Sequence, residues 1–191
     1  MTIDVVFVGL GNMGLPMAKN LARAGLSVAG FDLQTDRVGE LAQCGGVDGR
    51  SLDEAVAHAR FVITMLPGSK QVSALLDGDH ALFSKARTST VFIDCSTISA
   101  VHARQLGQAA KRYGVEFVDA PVSGGAHGAA AATLTFMAGA SASAFEAVKP
   151  LFSKTVANGV SSSTLGFADY LRCRGKSRFE LRSVPSAQPL I

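Results

Sequence analysis

The chain has 191 residues, of which 48% are hydrophobic and 17% charged, a balance that is ordinary for a globular protein and that excludes general disorder. No apolar run reaches the roughly 18 residues needed to cross a bilayer, and no signal peptide is evident, so we predict a cytoplasmic protein without membrane contact. The formal net charge is +3, and residues 153–191 alone carry a net charge of +4. Residues 1–152 are therefore not basic, and we expect no nucleic-acid partner.

The three cysteines argue against a disulfide framework and against a zinc site. Cys44, Cys95 and Cys173 are odd in number and widely spaced, and no pair forms a C-x-x-C motif. A disulfide framework typically has an even number of cysteines, and a structural zinc site typically contains closely spaced pairs. We therefore expect reduced thiols and no metal site.

Strands and helices are predicted to alternate along the first 152 residues. The segment 2–8 is almost continuously apolar and stops at a glycine cluster, which is typical of a strand buried on both faces. A helix follows, because Met13, Met17 and Leu21 recur at helical spacing and Gly25 ends the run. Further strands are predicted over 27–32, 61–66, 90–94, 115–120 and 133–138, and further helices over 36–43, 52–59, 69–76, 99–113 and 142–152. This order predicts an α/β fold with a doubly wound, mostly parallel sheet.

The alternation ends after Phe152. Residues 153–191 contain a serine triplet, a cluster of arginines and two prolines near the end of the sequence, and no strand or helix periodicity is sustained there. We therefore predict a domain over 1–152 and an atypical basic tail over 153–191, which is either disordered or read out of frame.

A G-x-G-x-x-G motif lies where the first strand meets the first helix. Gly9 allows the tight turn, Gly11 lets a pyrophosphate approach the backbone, and Gly14 lets helix and strand pack closely. A phosphate would also meet the positive end of the helix dipole. A tight connection with no ligand is the alternative, but the strand–turn–helix context favours a dinucleotide site.

Asp32 closes the second strand, eighteen residues after Gly14. A carboxylate there can accept hydrogen bonds from the ribose diol of adenosine, and it would repel a 2′-phosphate. No arginine follows immediately, so we expect NAD, with NADP less favoured. The alternative is that Asp32 is an ordinary turn residue at a strand end.

Two further strand ends carry short polar or proline-containing segments. The segment MLPGSKQV has two interpretations. In one, Pro67-Gly68 forms a turn and Ser69 caps the next helix. In the other, Leu66 and Pro67 lie at the ligand-binding edge of the sheet. In DCSTIS, Ser96 and Thr97 cap the next helix, contact the cofactor, or do both.

The segments GLGNMGLPMAKNLARAG, FD, MLP, DCST and DAPVSGG, in this order, resemble the 3-hydroxyisobutyrate dehydrogenase family of β-hydroxyacid dehydrogenases over about residues 3–152. The resemblance implies an N-terminal Rossmann-type domain and a C-terminal all-helical domain through which family members oligomerise. It also implies oxidation of a small β-hydroxy acid to its semialdehyde with NAD or NADP, as in valine degradation. Related members act on 6-phosphogluconate, tartronate semialdehyde or serine.

The resemblance also assigns site residues. The adenosine half of the cofactor is implied to lie on the glycine turn and around the second strand end, and the ribose and nicotinamide near two later strand ends. The residues implied are Gly9, Leu10, Gly11, Asn12, Met13, Gly14, Phe31, Asp32, Leu33, Leu66, Pro67, Ser96 and Thr97. The carboxylate of a small β-hydroxy acid is implied to bind Ser123, Gly124 and Gly125. Backbone N–H groups exposed by glycines, together with a hydroxyl, form an anion-binding nest without adding a competing charge.

The motif that carries the catalytic base of the family is not found in this sequence. In the resemblance that base is a lysine in a G-x-G-x-x-x-K-x-x-x-N pattern, and neither Lys154 nor Lys176 has this context. The helical domain is missing as well. No catalytic residue is therefore identified, and we interpret the tail as an altered extension that replaces the usual continuation. The histidines are expected to be ordinary helix or loop residues: His58, His80, His102 and His127.

Overall fold

The computed structural model describes residues 3–47, 51–153 and 160–163 of the chain. Eight strands form one sheet: β1 (Ile3–Val8), β2 (Val28–Phe31), β3 (Ala59–Thr64), β4 (Val91–Asp94), β5 (Glu116–Asp119), β6 (Val122–Ser123), β7 (Thr135–Gly139) and β8 (Val160–Ser163). The described helices are α1 (Gly14–Arg23), α2 (Thr35–Ala42), α3 (Leu52–His58), α4 (Ser69–Leu76), α5 (Leu82–Lys85), α6 (Ala100–Arg112), α7 (Gly125–Ala130) and α8 (Ala142–Ser153).

The sheet confirms the predicted doubly wound α/β fold. Its strand order is β2-β1-β3-β4-β5-β7-β6, with β8 paired to β7. The first five strands are parallel, whereas β7 runs antiparallel to β5 and β6 and parallel to β8. The order reverses at β1, which lies between β2 and β3. Ligands of doubly wound sheets bind at the carboxyl ends of the strands beside such a reversal.

Two apolar layers cover the two faces of the sheet. One contains Phe7, Leu21 and Phe136, and the other contains Val6, Leu76 and Phe117. Successive side chains of a strand point to opposite faces, so Val6 and Phe7 contribute to different layers. The continuous apolar runs in the sequence follow from this burial on both sides.

The parallel strands are tied together just beyond their carboxyl ends. The first residue after each of four strands donates its N–H to a carbonyl of the neighbouring strand: Gly9 to Phe31 at 2.8 Å, Met65 to Val8 at 2.9 Å, Cys95 to Thr64 at 2.8 Å, and Ala120 to Asp94 at 2.8 Å. This row of hydrogen bonds, here called the carboxyl-edge row, fixes the starting points of the loops that follow β1, β3, β4 and β5.

Four elements were not predicted from the sequence. They are α5, β6, α7 and β8. α5 begins after Ala81, which adopts a left-handed conformation (φ 46°) that alanine rarely takes, and α7 consists of glycine, alanine and one histidine, without an apolar stripe. We expected no regular element in residues 153–191, but Val160–Ser163 forms β8 and pairs with β7. The rest of that predicted tail lies outside the described residues.

Candidate functional site

The glycine turn after β1 is shaped by two backbone contacts. Gly9 has a left-handed φ of 95°, and a Cβ there would collide with the carbonyl oxygen of Met65. A Cβ on Gly14 would collide with the carbonyl oxygen of Gly9. A Cβ on Gly11 would meet nothing within 4 Å, so the fold itself does not require glycine at that position. The space beside Gly11 is therefore available to a ligand.

Asp32 lies directly beside this turn. Its Oδ2 accepts the Leu10 N–H at 2.6 Å, and its Oδ1 accepts the Gln34 N–H at 2.8 Å. Two backbone amides thus hold the carboxylate at the end of β2, and each oxygen keeps a lone pair for a further donor. Asp32 thus stabilises the strand end and also presents an oriented acceptor next to the glycine turn, and its contact with a ribose stays a prediction.

A cavity of about 900 Å³ opens at the carboxyl ends of β1, β2 and β3. It has the size and the lining expected of a cofactor site, which is largely apolar with a few convergent polar groups. Ten of the residues assigned through the resemblance line it: Gly9, Gly11, Asn12, Met13, Gly14, Phe31, Asp32, Leu33, Leu66 and Pro67. The glycine turn, the Asp32 carboxylate and the cavity volume together fit a dinucleotide.

Three other residues predicted to bind the cofactor do not line this cavity. Leu10 has a fully buried side chain, so only its backbone can take part. Ser96 is also buried, and its hydroxyl accepts the Leu66 N–H at 2.8 Å, which holds the segment that carries Leu66 and Pro67. Thr97 is exposed at the same edge of the sheet.

The helix caps expected at two of these strand ends are corrected by the structure. Ser99, and not Ser96 or Thr97, caps α6, because its Oγ accepts the His102 N–H. Ser69 is the first residue of α4 and follows the N-cap Gly68, so it is not the cap. The Ser69 Oγ accepts the Ser99 N–H at 3.2 Å instead and so joins the two helix starts.

Several residues that line the cavity were not anticipated from the sequence. Gln71, Ala74 and Leu75 lie on one face of α4, and Leu52 and His80 lie on neighbouring segments. Their three- and four-residue spacing on α4 is the only signal that could have grouped three of them. His80 was expected to be an ordinary residue in or beside a helix, and the structure places it on the cavity wall.

The predicted substrate turn lies beyond the carboxyl-edge row, three residues after Ala120. Ser123, Gly124 and Gly125 are exposed, and the two glycines have left-handed φ values of 134° and 64°. Consecutive glycines in this region expose their N–H groups on one side of the chain. His127 is exposed on α7, as expected for an ordinary residue.

Cys95 is buried between two carboxylates at this edge of the sheet. Burial and the neighbouring charges of Asp94 and Asp119 raise the pKa of the thiol well above its ordinary value. The thiol is therefore neutral in the folded protein and poorly reactive.

We expect the free energy of unfolding to fall as the pH rises past about 8.5, because the unfolded chain then loses a thiol proton that the folded chain retains. The slope from this one proton approaches about 1.4 kcal/mol per pH unit. Urea unfolding of the wild type and of Cys95→Ala between pH 7 and 10 measures it, and parallel pH profiles for the two proteins would contradict it.

None of the helices in ranges 3–47 and 51–153 has the length and apolar character of a membrane span. No lysine occurs among the described residues that line the cavity. Lys154 and Lys176, which were considered for the catalytic role, lie outside the described residues.

The comparisons with known proteins agree with this geometry. The family model for the NAD-binding domain of 6-phosphogluconate dehydrogenase matches residues 4–166 of this chain. The match extends past residue 152, near which the resemblance carried by the motifs ends. The NAD-dependent L-serine dehydrogenase of Pseudomonas aeruginosa is 45% identical over 149 residues, which is 78% of this chain and 50% of that protein. The 3-hydroxyisobutyrate dehydrogenase of the same organism is 43% identical over 148 residues, again 78% of this chain and 50% of that protein.

A solved structure shows the same fold. The 3-hydroxyisobutyrate dehydrogenase of Mycobacterium tuberculosis with L-serine superposes with a TM-score of 0.82 at 39% identity, and the match covers 91% of this chain and 59% of that one. The chain spans about half the length of the curated relatives it matches. The chain therefore belongs to the family described as the NAD-binding domain of 6-phosphogluconate dehydrogenase, and this membership supports NAD as its cofactor.

Proposed function

We propose that the chain is the cofactor-binding half of a dehydrogenase that oxidises 3-hydroxyisobutyrate, or a similar small β-hydroxy acid, to its semialdehyde. The observation that carries this proposal is the pairing of a dinucleotide-sized cavity with a glycine turn on the same edge of the sheet. Asp32 would hold the adenosine ribose, and the turn from Gly9 to Gly14 would hold the pyrophosphate. Leu66 and Pro67 would line the path toward the nicotinamide, with Thr97 beside them.

The substrate carboxylate would bind at Ser123, Gly124 and Gly125. These residues offer a hydroxyl and backbone N–H groups, and they add no negative charge. Holding the acid by its carboxylate would fix the hydroxyl-bearing carbon at one distance from the turn. Orientation of this kind contributes a large share of catalysis in two-substrate reactions.

A bound NAD supplies a hydride acceptor for the alcohol carbon. The chain must then provide a group that takes the hydroxyl proton, and the resemblance implies a lysine for that role. The cavity lining among the described residues holds no lysine. In this proposal the described part of the chain provides binding and orientation, and no lysine among the described lining residues takes the proton.

The two Pseudomonas relatives are named for different substrates, L-serine and 3-hydroxyisobutyrate. Both are β-hydroxy acids, and they differ at C2, where the first carries a methyl group and the second an ammonium group. The segment Ser123–His127 contains no carboxylate that could pair with an ammonium. We therefore favour 3-hydroxyisobutyrate, an intermediate of valine degradation, with serine or tartronate semialdehyde as the alternative.

The second candidate function is NAD binding without turnover, and the missing lysine favours it for this chain. Loss of a general base lowers a rate by roughly 10²–10⁴-fold. We expect measurable but weakened NAD binding by the 191-residue chain and negligible oxidation of either hydroxy acid.

Isothermal titration with NAD, together with assays on 3-hydroxyisobutyrate and L-serine, tests this expectation. Ser123→Ala is the variant for the substrate turn, and it should leave NAD affinity unchanged. Robust turnover by the chain would show that the lysine argument is wrong. Absence of NAD binding by a folded chain would overturn the proposed cofactor site.

A further inference from the structure

One side chain connects the cofactor helix to the segment that begins at the substrate turn. Asn20 lies on α1, and its Nδ2 donates to the backbone carbonyl of Ala129 on α7 at 2.7 Å. The two residues are 109 positions apart in sequence. A short side-chain bond across that separation fixes one element of the fold against another, and α1 and α7 also pack directly together.

The Ala129 carbonyl lies near the end of α7, where helix carbonyls lose their usual partners. If the helix continued, this carbonyl would accept the N–H of Thr133, four residues later. The Thr133 N–H donates to the Gly128 carbonyl at 2.9 Å instead. Ala129 itself is buried, at 1% exposure. The carboxamide of Asn20 thus satisfies a carbonyl that would be costly to leave unpaired.

The small residues of α7 explain why this contact is possible. Gly128 and Ala129 are buried, and Ala129 packs in the same apolar layer as Met17 and Leu21 of α1. Side chains of this size let the two helix backbones approach closely. α7 starts at Gly125, so its position also sets the position of the turn formed by Ser123, Gly124 and Gly125.

We propose that Asn20 is a positioning residue that fixes the distance between the dinucleotide on α1 and the substrate carboxylate on the Ser123–Gly125 turn. Asn20 does not line the cofactor cavity, so its effect reaches the site through α7. This inference rests on the proposed substrate turn.

The test compares Asn20→Leu, which keeps similar bulk without a donor, with Asn20→Ala. Lys19→Ala is the matched control, because Lys19 is adjacent on the same helix but pairs with Glu40 of α2 at 3.2 Å. Hydrogen exchange of the full chain is followed by mass spectrometry over 124–133 and 59–76. Titration with NAD, and with 3-hydroxyisobutyrate in saturating NAD, completes the comparison.

Both Asn20 variants should exchange about tenfold faster in 124–133 and bind 3-hydroxyisobutyrate about tenfold more weakly, while the NAD dissociation constant stays within about twofold. Lys19→Ala should match the wild type in all of these. Unchanged exchange over 124–133, or NAD and hydroxy acid affinities that fall together, would overturn the inference. If the wild type in saturating NAD does not bind the hydroxy acid, the proposed substrate turn fails first and the positioning role fails with it.

Discussion

Alanine substitutions at Gly11 and Gly14 are expected to lower different properties of the protein, NAD affinity at Gly11 and stability at Gly14. A Cβ on Gly14 collides with the Gly9 carbonyl, and both atoms belong to the backbone, so the turn must distort. We expect Gly14→Ala to lower the free energy of unfolding by about 3 kcal/mol or more. A Cβ on Gly11 meets nothing within 4 Å, so Gly11→Ala should fold normally. It should nonetheless weaken NAD binding by about 100-fold, because the methyl group occupies the pyrophosphate's approach to the backbone.

Gly39→Ala is the control for these two variants. Gly39 lies in α2, where an added Cβ also has open space, so alanine should stabilise the chain by about 0.5–1 kcal/mol through helix propensity. Urea unfolding and NAD titration of the three variants measure both effects. A Gly14→Ala protein of wild-type stability, or a Gly11→Ala protein of wild-type NAD affinity, would show that the roles assigned to the turn are wrong.

The second large effect is expected at the end of β2. Asp32→Ser removes the acceptor for the adenosine ribose and weakens the hold on the Leu10 amide, so NAD affinity should fall by about 100-fold. Leu33 is fully exposed beside it and lines the same cavity. Adding Leu33→Arg supplies a guanidinium that can bind a 2′-phosphate in a bidentate manner. The double variant should therefore bind NADP more tightly than NAD.

Titration with both dinucleotides measures this change of preference. Asp36→Ser is the matched control, because Asp36 is exposed on α2 and does not line the cavity, so it should leave both affinities unchanged. A double variant that still prefers NAD would mean that Asp32 serves only the strand end.

Much of this site follows from local patterns in the sequence. The strand–turn–helix context of Gly9 and the spacing to Asp32 are contained in one short segment, and the structure brings both to one cavity. The apolar runs likewise predict the parallel strands, because a strand buried on two faces has no polar side. The predicted bounds of α4, for example, agree with the structure.

The rest depends on contacts that local patterns do not contain. The role of Ser96 follows from a hydrogen bond to Leu66, thirty positions away, and the role of Asn20 from one to Ala129. α7 has no apolar period to reveal it, because its packing relies on small residues instead of large ones. His80 reaches the cavity wall through the left-handed Ala81 and the turn before α5, which no sequence pattern marked.

The carboxyl-edge row has a consequence for how this domain can change over time. Gly9, Met65, Cys95 and Ala120 anchor four loops through backbone bonds, and at each of these anchors except Gly9 the bond does not require one particular side chain. A loop can therefore change in length or chemistry beyond its anchor, provided that the side-chain bonds between neighbouring loops, such as the one from Leu66 N–H to Ser96, are kept. Because the proposed substrate turn and the proposed cofactor residues lie on different loops, a lineage can alter one preference and inherit the other.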